Sequence, residues 1–95
     1  MTAAPLADLL AFLDGSPSPY HAAASSAARL QAAGFTELAL DAAWDPVPAQ
    51  GYVMRGGAIV AWHLPASATA ATPFRLAGAH TDSPNLRIKP RPDAE

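Results

Sequence analysis

An α/β fold, with two N-terminal helices packed on a mixed β-sheet, is predicted by three observations in this 95-residue chain. Leu6, Leu9, Leu10 and Leu13 recur at i, i+3, i+4 and i+7, which is one stripe of an amphipathic helix. Ser18-Pro19 and Gly34-Phe35 bracket an Ala-rich stretch as a helix start and a helix stop. Gly56-Gly57 separates two apolar runs in the manner of a hairpin turn.

The first helix is closed by Asp14-Gly15. A stiff connector, Ser16-Pro17-Ser18-Pro19, follows, in which Ser18 caps the second helix and Pro19 takes its first position, where a missing N–H costs nothing. That helix is predicted from Pro19 to Ala33. Gly34 then supplies the left-handed residue beyond the helix end, and Phe35 folds back on Leu30.

From Thr36 onward the pattern is strand-like. Glu37 to Leu40 is a short strand candidate, and Pro46-Val47-Pro48 a loop whose prolines cannot donate to a ladder. Tyr52 to Arg55 and Ala58 to Leu64 form the hairpin. Residues 65–73 lack a large apolar anchor and read as a surface loop. Phe74 to Ala79 is expected to return to strand and to deliver His80, and Leu86 to Lys89 to form one more strand. No helix follows to cover that sheet, so a truncated chain is the expectation.

Composition narrows the function. One small domain is the ceiling at this length. The hydrophobic fraction is 51%, yet 24 residues are Ala, so large apolar side chains are few and the core is thin. A piece that leans on more protein is expected. A net charge of −2 with 15% charged residues offers no basic field for nucleic acid or anionic lipid. The absence of cysteine excludes disulfides, a thiolate zinc site and a thiol nucleophile, leaving His and carboxylates as candidate ligands. No signal-peptide pattern and no run of about 20 apolar residues is present, so a soluble cytoplasmic protein with no membrane partner is expected.

The chemistry concentrates in Gly78-Ala79-His80-Thr81-Asp82-Ser83-Pro84. An imidazole at a strand end can bind a metal while a carboxylate two residues on holds its other ring nitrogen and fixes the tautomer. His80 would be the ligand and Asp82 the orienter. On pattern alone the plainer reading, a His at a strand end beside a turn Asp, outweighs a metal site.

Residues 78–89, GAHTDSPNLRIK, resemble the metal-binding signature of the aspartyl aminopeptidase family. Ser16-Pro17-Ser18-Pro19-Tyr20-His21-Ala22 resembles the same family's N-terminal motif, and Ala33-Gly34-Phe35, Trp44 and the hairpin fit between the two. The resemblance covers nearly the whole chain. It implies a metalloaminopeptidase that uses two zinc ions to remove N-terminal, preferably acidic, residues from peptide substrates, and that forms homo-oligomers. It implies that His80 is one zinc ligand and that Asp82, a catalytic-site residue, orients it. The other ligands, the bridging carboxylate and the general-base glutamate would lie beyond residue 95. Residues 1–95 would then be the N-terminal portion of a larger zinc-peptidase catalytic domain, inactive alone. Asn85 stands where relatives often have another small residue, outside the ligand set.

Other residues have plainer explanations. His21 reads as a helix-start residue, His63 as a sheet-face residue, Asp14 as a helix-end turn residue and Asp8 as part of a solvated face. Trp44 and Trp62 fit core packing better than a stacking platform. Arg87 and Lys89 could attract an acidic substrate or pair with acidic residues elsewhere. An alternative function remains, a standalone binding module of the same fold, and coding sequence after Glu95 would discriminate: downstream His, Glu and Asp motifs mean enzyme.

Overall fold

The computed structural model describes residues 4–86, 88, 90, 91 and 93. Among these, helices α1 (Ala4–Asp14) and α2 (Pro19–Ala32) precede strands β1 (Thr36–Glu37), β2 (Gln50–Arg55) and β3 (Ala58–His63). The sheet has the order β1-β2-β3 and is mixed, as the sequence predicts. Thr36 and Glu37 pair in parallel with Gly51 and Tyr52, and β2 runs antiparallel to β3 from Gln50↔His63 to Arg55↔Ala58.

Helix α2 is the element that the sheet is built on, and its ends follow the sequence closely. Ser18 is extended at the cap, and its Oγ accepts from the His21 amide at 3.3 Å, with Pro19 in the first turn. At the other end Gly34 takes φ +91°, a conformation that favours glycine, and the Phe35 amide donates to the Leu30 carbonyl at 2.9 Å. Ala22, Ala23 and Ala27 are buried on the face turned to the strands, where small side chains allow close approach. Tyr52 on β2 is the one large side chain fully buried among the described residues. Burial, followed by the charge of nearby Glu37, raises the Tyr52 phenol above its ordinary pKa.

Helix α1 carries the predicted leucine stripe but does not bury it: Leu6, Leu9, Leu10 and Leu13 remain 52–60% exposed. What ties α1 to α2 is polar. The Arg29 guanidinium donates to both carboxylate oxygens of Asp8 at 2.8 Å and lies 5.1 Å from the Phe12 ring centroid. Asp8 is therefore an ion-pair partner and not merely a solvated residue, and the Arg29 hydrogen bond holds its carboxyl below the usual range.

Three strand expectations are corrected. The candidate at Glu37 to Leu40 begins one residue earlier and its ladder ends at Leu38, whose amide still donates to the Tyr52 carbonyl at 2.9 Å, before a turn at Leu40. Phe74 to Ala79 is not a strand. Phe74 and Leu76 are 87% and 91% exposed, and among the described residues no main-chain hydrogen bond joins this segment to the sheet. Leu86 and Ile88 are likewise outside any strand and exposed, while Arg87 and Lys89 lie outside the described residues. The physical reason is common to both. Alternating β-favouring side chains express a fit to a pleated surface, and without a neighbouring strand to exchange hydrogen bonds there is no ladder to form.

The loop between β1 and β2 is fastened to the hairpin by its tryptophans. Trp44 and Trp62 stack with centroids 6.0 Å apart, and their indole N–H groups donate to the carbonyls of Ala39 and Pro48 at 2.8 and 2.9 Å. The Trp62 ring lies over Gly51, its cross-strand partner: a Cβ at position 51 would stand 2.6 Å from Trp62 Cζ2 and 3.0 Å from Pro48 Cγ. Gly51→Ala is therefore expected to destabilise the chain by about 1 to 3 kcal/mol through overpacking. Urea unfolding followed by Trp fluorescence reads this, and an unchanged midpoint would mean that the ring swings clear at no cost.

Candidate metal site

His80 and Asp82 sit on an exposed bend that follows segment 73–79, which belongs to neither helix nor strand. Its middle residue, Thr81, is half-buried, and its hydroxyl donates to the Gly57 carbonyl at 2.8 Å, fixing the bend to the hairpin turn. His80 Nδ1 lies 2.5 Å from the main-chain carbonyl of Asp82 and 3.4 Å from the Asp82 Oδ1 atom. A carbonyl can only accept, so this contact is a hydrogen bond when Nδ1 carries a proton, and in the neutral ring the lone pair is then on Nε2. The carbonyl is the hydrogen-bond partner. The carboxylate, at an ion-pair distance, contributes mainly charge.

A cleft of about 450 Å³ opens beside this bend, walled by Phe12 and Leu13 of α1, Ala22 and Ser26 of α2 and Ile59 of β3. On its other side the bend meets the connector between the helices. Ser16, Ser18 and Pro19 face Thr81, Ser83 and Asn85 across a small polar hollow. The two sequence motifs, some sixty residues apart, are thus neighbours in space.

The remaining histidines are elsewhere. His21 belongs to the start of α2, with Nδ1 2.6 Å from the Ser18 hydroxyl, and His63 is exposed at the end of β3, opposite Gln50. Among the described residues no group of three or more His, Cys, Asp or Glu side chains could hold a metal ion. A protein zinc site takes three or four such ligands. The residues present therefore fit one coordination position, the His80 imidazole, and do not by themselves complete a site. Sequence reasoning missed Thr81 and Gly57, because a contact 24 residues apart leaves no local signal.

A family model described as Aminopeptidase I zinc metalloprotease (M18) matches residues 12–95. The chain is 63% identical over 86 residues to a protein of Streptomyces coelicolor named "Probable M18 family aminopeptidase 2", covering 90% of this chain and 20% of that protein. Proteins of the same name from Streptomyces avermitilis and Mycobacterium leprae are 58% and 47% identical over 87 residues, each match covering 92% of this chain and 20% of the relative. The chain thus spans about a fifth of the length of these relatives. The family model, matching residues 12–95, places the chain in the metallopeptidase class. Within that class the chain belongs to the M18 family of zinc aminopeptidases.

Proposed function

We propose that this chain is the N-terminal portion of the catalytic domain of a metalloaminopeptidase, to which it contributes His80 as one zinc ligand and Asp82 as the residue that orients and polarises it. The observation that supports the reading is the short contact of His80 Nδ1 with the Asp82 carbonyl, which in the neutral ring with Nδ1 as donor keeps the Nε2 lone pair open to a metal. When bound, two zinc ions supply a Lewis acid and an activated water for peptide hydrolysis. The chain's own residues hold one ligand in its binding tautomer and wall one side of the cleft beside it. The preferred substrates are peptides with an acidic N-terminal residue, and the assembled enzyme is a cytoplasmic homo-oligomer.

The test compares the chain alone with the chain set into the corresponding region of the Streptomyces coelicolor relative. Alone it is expected to bind zinc weakly and to hydrolyse nothing, because one imidazole falls short of the three protein ligands that a zinc site needs. In the chimera, zinc-dependent release of N-terminal Asp or Glu is expected. Turnover by the chain alone would refute the division of the site, an inactive but folded chimera would refute the functional reading, and faster release of neutral residues would refute the acidic preference.

A further inference from the structure

We propose that Thr81 is a positioning residue for His80, and that the Ser16–Pro19 connector together with Gly57 forms the seat against which the metal-binding bend is held. The assignment of a ligand to be positioned rests on the reading of His80 above; the physical linkage stands on three contacts. Pro19, the first residue of α2, lies so close to the hairpin turn that a Cβ on Gly57 would stand 2.7 Å from Pro19 Cβ and 3.3 Å from its carbonyl carbon. Only a residue without a side chain fits there, so the turn rests directly on the helix start. Gly57 then offers its carbonyl to the Thr81 hydroxyl at 2.8 Å. Thr81 is the residue between His80 and Asp82, and the Nδ1 contact reaches from residue 80 to the carbonyl of residue 82, so it closes only while the bend at 81 is kept.

The neighbouring backbone gives Thr81 this role by default. Among described residues 73–84, no main-chain hydrogen bond ties the segment to helix or sheet. A side-chain bond from a half-buried hydroxyl is then an anchor that limits how His80 can rotate relative to Asp82. This also gives the Ser-Pro-Ser-Pro motif a function that the ligand set does not: Ser18 and Pro19 fix the start of α2, the start of α2 fixes the turn, and the turn fixes the bend.

The experiment uses the 95-residue chain, without metal, and reads the tautomer of the neutral His80 ring from imidazole nitrogen chemical shifts. Wild type is expected to show His80 mainly as the Nδ1–H form. Thr81→Val keeps shape and removes the hydroxyl, and should lower the ratio of Nδ1–H to Nε2–H by roughly two- to tenfold, the scale of one net hydrogen bond. Thr81→Ser should keep it. Gly57→Ala, which lifts the turn from Pro19 and leaves Thr81 intact, should lower it as well. Signals of α2 and of the β2–β3 hairpin serve as the check that each variant is folded. A Val variant with the wild-type ratio, a Ser variant that loses it, or a wild-type His80 without the Nδ1–H preference would overturn the role of Thr81, and an unaltered ratio in Gly57→Ala would overturn the seat. Since no zinc or substrate enters, the result is separate from the peptidase reading, which the chimera decides.

Discussion

His80→Ala in the assembled enzyme is expected to remove one zinc ion per site and to reduce activity by more than the roughly 10- to 100-fold that loss of an outer hydrogen-bonding partner costs. Truncation to a methyl group leaves no atom that could replace the imidazole nitrogen. In the chain alone the side chain is 75% exposed, so its removal there opens no cavity and breaks no core contact. The folding stability of the 95-residue chain carrying this substitution should therefore stay within about 0.5 kcal/mol of wild type. This separates a ligand from a structural residue: metal content and activity fall together while the unfolding midpoint of the chain alone does not move. Raising zinc should not restore turnover within a usable range. Full metal content and activity in the alanine variant would remove the assignment of His80.

Elements specified by neighbouring residues are legible in this sequence, and elements specified by distant ones are not. The second helix shows this at both ends. Its Ser18 cap, Pro19 start, left-handed Gly34 and Phe35 return all depend on contacts within a few residues, and the structure differs from expectation by one residue at Ala33. The hairpin is similar, because Gly56 at φ +57° and Gly57 define the turn and thereby the register. Phe74 to Ala79 carries a comparable strand-like pattern, yet a strand exists only with a partner, and its exposed side chains mark a segment that has none among the described residues. Helix α1 fails in a milder form: the leucine period is correct and predicts the helix, but period alone does not say what covers the stripe.

The site divides along the same line. His80 and Asp82 were found through a motif, whose meaning came from resemblance and not from spacing. Residue type alone points to the Asp82 carboxylate as the partner of the imidazole. The structure gives the nearer position to the Asp82 carbonyl, a group that every residue possesses and that no side-chain pattern can announce. The anchoring of the bend by Thr81 on Gly57 is a contact between two segments whose proximity is a product of the whole fold.

That geometry sets the expected behaviour of Asp82. If the carboxylate were the main acceptor, removing it would free the ring, and Asp82→Ala would be far worse than Asp82→Asn, which still offers an amide oxygen. With the carbonyl at 2.5 Å and Oδ1 at 3.4 Å, both substitutions keep the principal hydrogen bond and lose only the negative charge beside the imidazole. That charge favours electron donation by the ring, so zinc affinity should fall by about tenfold in either variant, the lower part of the range for such partners. The two variants should be alike. Each should regain activity as zinc is raised, unlike the His80 variant, and each should keep wild-type kcat once the site is filled. Zinc titrations of activity on the assembled enzyme, with metal content measured in parallel, give both quantities. An alanine variant much weaker than the asparagine variant would return the orienting role to the carboxylate. An asparagine variant that holds its full metal complement and is still inactive would mean that the Asp82 carboxylate takes a direct part in the reaction.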